Sequence, residues 1–140
     1  MPTPPITASA IGLDLSPRYK TSVTVAASPA AAAETVIATL TITEQLAVNL
    51  GVELTGWAAW TVGTNGVSVN LKLRQTGTSG TTIAATGATT ATAANLGSGI
   101  VQGIDTGPTL PGQVYVLTMT VASGSAASTV SAVYLRALVI

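Results

Sequence analysis

This chain of 140 residues predicts an all-β protein, a sandwich or barrel of about eight short strands. Three observations carry that reading. Segments that alternate in side-chain character recur along the chain, Gly, Pro, Ser and Asn punctuate them, and helix signals are nearly absent. The length fits one domain able to build a core without disulfides.

The elements follow in order. Residues 1–18 read as an extended arm, because Pro2, Pro4, Pro5 and Pro17 fix φ and remove backbone donors. Ile6, Ile11, Leu13 and Leu15 give that arm apolar anchors for docking on a neighbour. The domain proper is then 19–140. Tyr19–Ala27 alternates over Thr21, Val23 and Val25 and predicts a first strand. Ser28-Pro29 followed by alanines to Glu34 fits one or two helical turns, or equally a loop. Thr35–Thr43 is a strand, and Gln45–Asn49 continues it after a bend.

Val52–Val62 and Val67–Gln75 form the clearest pair, with Asn65-Gly66 between them as a hairpin signal. Trp60 then shares the core face with Val69 and Leu71, while Trp57 points the other way, toward Lys72 and Arg74. Short strands are expected at Thr81–Ala85, at Thr89–Ala94 inside a long Thr86–Gly99 loop, and at Ile100–Ile104. Pro111-Gly112 is a turn, Gln113–Ala122 a strand, Ser123–Ser128 a loop, and Thr129–Ile140 the last strand.

Composition excludes several functions. With no Cys and no His, thiolate nucleophiles, imidazole bases, disulfides and the common zinc ligands are all missing. Asp, Glu, Lys and Arg make up 7% of residues, against roughly 25% in an average soluble domain. Five basic residues spread along the chain do not make a nucleic-acid footprint. Mean hydropathy is +0.56, yet no run approaches the roughly 20 apolar residues of a spanning helix. The N-terminus lacks the basic start of a signal peptide, so synthesis in a cytoplasm as a soluble protein is expected. A neutral surface this poor in charge favours association, and much of it is expected to be covered.

Candidate chemistry is sparse. Asp14, Glu34, Glu44, Glu53 and Asp105 show no spacing of a catalytic carboxylate pair, and Asp105 reads as a loop cap. Gly97-Ser98-Gly99 and the stretch from Gly77 to Gly80 read as turns, not phosphate cradles. No enzyme activity, cofactor or metal is expected.

The last strand carries the main expectation. Val133, Leu135, Ala137 and Val139 lie on one face; Val130, Ala132, Tyr134, Arg136, Leu138 and Ile140 lie on the other. Both faces are largely apolar, so both must be covered. Without a helix layer, the second face, joined by Trp57, is expected to meet another subunit. Arg136 would then pair across that interface, with Glu53 or Asp105.

The segments Val52–Trp60, Val67–Arg74, Gly80–Ile83, Pro111–Tyr115 and Val130–Ile140 together resemble phage-type jelly-roll head domains. They also resemble the trimeric tumour-necrosis-factor-like jelly roll, whose last strand faces a threefold axis. That resemblance implies that the two strands around Asn65-Gly66 lie in different sheets, which a hairpin contradicts. A small jelly roll with a Pro-rich arm resembles capsid decoration (cement) proteins, which clamp capsid subunits as trimers on the virion surface. The implied partners are a second and third copy of the chain and a major capsid protein. The alternative is a tail-fibre or receptor-binding head that stacks a host glycan on Trp57.

Overall fold

The computed structural model describes residues 19–22, 29, 32–43, 51–63, 67–87, 89–90, 96–122 and 129–140. The arm with Ile6, Ile11, Leu13 and Leu15, the Asn65-Gly66 turn and the Gln45–Asn49 segment lie outside the described residues. Ser28, Ala30 and Ala31 of the helix candidate also lie outside them; Ala32 has φ +61° and Glu34 opens a strand, so the described part is not helical. The described residues contain nine strands and no helix. They are β1 (Tyr19–Ser22), β2 (Glu34–Ile42), β3 (Val52–Thr61), β4 (Ser68–Gln75) and β5 (Thr82–Ala85), then β6 (Thr89–Thr90), β7 (Leu96–Asp105), β8 (Gln113–Val121) and β9 (Thr129–Val139).

Their pairing is nested. β4 pairs with β5, β3 with β7, β2 with β8 and β1 with β9, all antiparallel. The chain is thus one long hairpin of strand pairs. Rolling it up puts successive pairs in alternate sheets, ordered β1-β9-β3-β7 and β2-β8-β4-β5, with β6 beside β4. This is the jelly-roll sandwich.

The topology corrects the predicted hairpin. β3 and β4 lie in different sheets and do not pair, so they are not the two arms of a hairpin. Asn-Gly reports a turn but not which strands it joins. The contact of Trp57 with Lys72 and Arg74 falls with the hairpin, since these residues belong to different sheets.

Inward-facing residues of both sheets form one core. Val52, Leu54, Ala58 and Trp60 of β3 meet Val69, Leu71 and Leu73 of β4 and Tyr115, Leu117 and Met119 of β8. β9 adds Val133, Leu135, Ala137 and Val139. Val130, expected on the outer face, also lies in this core. A register shift at Ala59/Trp60 pairs Ala59 with Ala132 but Trp60 with Val130, leaving Ser131 as an extra residue. That bulge reverses the alternation and turns Val130 inward.

β7 begins at Leu96, so Gly97-Ser98-Gly99 is strand and not the expected turn. Its inward positions are small because Trp60 occupies their space. A Cβ on Gly97 would overlap the Trp60 indole, and one on Gly99 would come within 3.1 Å of it. At Pro111-Gly112 the turn is as expected: Gly112 has φ +99° and donates its N–H to the Ile42 carbonyl at 2.7 Å.

The second sheet covers its outer face with charge. Glu34 of β2 and Arg74 of β4 stand on either side of β8 and meet over it. Arg74 Nε and Nη2 donate to the two Glu34 carboxylate oxygens at 2.6 and 3.0 Å. The Thr118 hydroxyl of β8 donates to the same carboxylate at 2.6 Å, and Lys72 Nζ stands 3.8 Å away. Beneath this arch Val116 and Thr118 are buried without a helix layer.

At one end, Asp105 ties the sheets together. The Tyr115 hydroxyl and Gln75 Nε2 donate to its Oδ2 at 2.9 and 2.6 Å, and the Gly107 N–H donates to Oδ1 at 3.0 Å. The loop-capping role expected of Asp105 is present, joined by an inter-sheet one. Burial, helped by Asp105, pushes the Tyr115 phenol above its ordinary range. Tyr115→Phe should cost about 1.5–3 kcal/mol in urea unfolding at neutral pH. A raised folded value means this contribution is complete below the unfolded pKa of about 10 and fades as pH rises above it. The parent should therefore lose stability above that pH, and the variant should lose much less.

A candidate assembly surface on one sheet

The carboxylates among the described residues are engaged with partners in the fold: Glu34 with Arg74, Asp105 with Tyr115 and Gln75, and Glu53 with Arg136. Among the described residues, no group of three or more His, Cys, Asp or Glu could hold a metal. Nor is any helix among them long and apolar enough to cross a membrane. A shallow cleft lined by Gln75, Thr76, Thr109, Pro111, Gly112, Gln113 and Val114 holds no ionisable side chain.

The distinctive surface is the outer face of β1-β9-β3-β7. Strand register aligns its side chains in rows across β9, β3 and β7: Leu138–Glu53–Ile104, Arg136–Thr55–Gln102, Tyr134–Trp57–Ile100 and Ala132–Ala59–Ser98. Five residues expected on one face, Ala132, Tyr134, Arg136, Leu138 and Trp57, are therefore brought together. Ile140 follows just past β9, exposed, with its backbone paired to Gly51. Val130 is absent from the face for the reason given above.

Arg136 finds its counter-charge within the chain. Its Nη2 lies 3.9 Å from Glu53 Oε1, on the neighbouring strand of the same sheet. Both side chains are partly exposed, so the pair is worth little to the fold, typically about 0–1 kcal/mol. Glu53 is one of the two partners expected of Arg136, and it stands beside Arg136 within the chain. Next to Arg136, Gln102 Nε2 donates to Thr55 Oγ1 at 3.4 Å, and Thr55 is buried between the two neighbours.

The residues missed by sequence reasoning are on β7. Leu96, Ile100 and Ile104 are 59, 57 and 55% exposed, more than any other large apolar residue described, and Trp57 beside them is 37% exposed. Their even spacing was a signal, but the glycines between them read as a loop. Together with Tyr134 and Leu138 they extend the apolar surface across three strands to the sheet edge. The Arg136–Thr55–Gln102 row interrupts this surface, but so many exposed apolar side chains on one sheet face mark an interaction site more often than a solvated face.

No protein-family model matches the chain, and no curated protein matches it. Solved structures do. The chain is similar to the structure of infectious bursal disease virus Gx strain, with TM-score 0.54, 15% identity, and coverage of 98% of this chain and 37% of that one. It is also similar to the crystal structure of the infectious bursal disease virus VP2 subviral particle, with TM-score 0.51, 10% identity, and coverage of 87% and 33%. The chain spans about a third of the length of each. At these identities the likeness is one of fold alone.

Proposed function

We propose that this chain is a structural protein of a virus particle, a decoration (cement) protein that binds the outer capsid surface as a homotrimer and stabilises it. The observation that carries the reading is the apolar outer face of β9, β3 and β7 on a chain with only five basic and five acidic residues. Such a surface is suited to burial between neighbours. The jelly-roll likeness to proteins of a virus and a subviral particle supports the same reading.

In this proposal Ala132, Tyr134, Leu138, Ile140 and Trp57 face the other subunits. The arm with Ile6, Ile11, Leu13 and Leu15 reaches the major capsid protein. The proposal includes no nucleic-acid partner; in its support, Lys72 and Arg74 stand beside Glu34, and Arg136 faces Glu53. Capsids lacking the protein should lose heat resistance and regain it when purified protein is added. Capsids equally resistant with and without it would overturn the reading.

Exposed Trp57, between Tyr134 and Ile100, favours one alternative, a receptor-binding head that stacks a host glycan on the indole. Glycan-array binding that disappears in Trp57→Ala would select that alternative over the first.

A further inference from the structure

We infer that the edge of β7 that no described strand covers pairs antiparallel with β7 of a second copy, about a twofold axis through Ile100. This goes beyond the proposed trimer and does not depend on it. A sheet edge offers unpaired N–H and C=O groups, and proteins blunt such edges with short strands, charges, prolines or bulges. Three of the four edges described here are blunted. β1 and β5 are four residues long, and β2 carries a bulge between Val36 and Ala38 and begins with Glu34.

β7 is different. It runs for ten residues, pairs with β3 without a register shift, and has no charge before Asp105 and no proline. On its far side from β3, every second residue leaves its N–H and C=O unpaired by that strand. Three of the most exposed large apolar side chains described stand along it.

The sequence of the strand identifies the occupant, because its outward face reads the same in both directions. Leu96, Ser98, Ile100, Gln102 and Ile104 run apolar, polar, apolar, polar, apolar. Antiparallel pairing centred on Ile100 sets Ile100 against its own copy, Ser98 against Gln102, and Leu96 against Ile104. On the inward face it sets Gly97 against Gly103 and Gly99 against Val101, so no bulky pair collides. A twofold contact requires this self-complementarity, since each residue must suit its mate in both subunits. The Tyr134–Trp57–Ile100 row then continues across the axis into the same row of the second copy, making one apolar band over six strands.

Solution mass and cross-linking test the pairing on the full chain. The wild-type mass should be an even multiple of the 13.8 kDa protomer. Ile100→Lys, at an exposed position, should halve that mass and leave the circular dichroism spectrum unchanged. A wild-type monomer, or an Ile100→Lys mass equal to wild type, would overturn the inference. Leu138→Lys probes the trimer face instead, so failure of one contact is distinguishable from failure of the other.

The chain has no native Cys, so one introduced thiol reports the register. Directly opposed residues lie about 4.5–5.5 Å apart at Cα, within disulfide reach. Ile100→Cys should give a covalent dimer on mild oxidation. Ser98→Cys and Gln102→Cys should each remain uncoupled alone and couple when mixed. Ser98→Cys coupling to itself as readily as Ile100→Cys would exclude this register and sink the proposal.

Discussion

Trp60→Ala should lower the free energy of unfolding by about 3–5 kcal/mol, the usual cost of emptying a large aromatic site in a core. Trp60 is buried between the sheets, and Gly97 and Gly99 of β7 lie against its ring. The same geometry makes the glycines expensive to change. Gly97→Ala places a methyl group against the indole, and overpacking of this kind costs about 1–3 kcal/mol. The two effects should not add. Once Trp60 is alanine, the cavity accepts the new methyl, and Gly97→Ala should become nearly neutral. Urea unfolding of the four proteins in a double-mutant cycle measures this. Additive effects would mean that Gly97 is small for a reason other than Trp60.

Glu34→Ala should cost about 2–3 kcal/mol, because it strands Arg74 and Thr118 over a buried strand. Arg74 would keep only its Nη1 bond to the Gly80 carbonyl, at 2.8 Å. Replacing both ends, as Glu34→Ala with Arg74→Met, should recover part of the loss by leaving no unpaired charge. The Arg74 hydrogen bonds, opposed by burial and aided by Thr118, hold the Glu34 carboxyl below the usual carboxylate range. A depressed folded value contributes stability above the unfolded pKa of about 4.3, and that contribution is lost as pH falls through the folded value. Unfolding midpoints from pH 6 down to pH 2 should show this loss in the parent and little of it in Glu34→Gln. Parallel acid profiles would assign the acid sensitivity to other groups.

The strands that alternate cleanly were legible in the sequence. Val67, Val69, Leu71 and Leu73, then Tyr115, Leu117, Met119 and Val121, then Val133, Leu135, Ala137 and Val139 all face the core as their periodicity predicts. β7 was legible only from Ile100 onward, because its pattern is inverted: apolar residues outside, glycine inside. The glycines answer to a distant Trp60, and no local rule carries that information. The bulge at Ser131 was hidden for a similar reason, since it arises from register against β3 and not from β9 itself. Trp57 was placed on the correct side of its strand and with the outer residues of β9, but Lys72 and Arg74 were the wrong neighbours. A strand's own period fixes which way a side chain points, whereas its company depends on which sheet the next strand joins.

The nested pairing also orders events in time. Among these pairs only β4 with β5 joins strands adjacent in sequence, while β1 must find β9 and β2 must find β8. Most of the loop-closure entropy therefore comes due before the wide pairs give anything back, and folds of this kind assemble slowly. During synthesis β3 leaves the ribosome well before either of its neighbours, β7 and β9. Until they arrive, a strand carrying both tryptophans has nothing to pair with, and nascent chains on the same message are the nearest source of wrong partners.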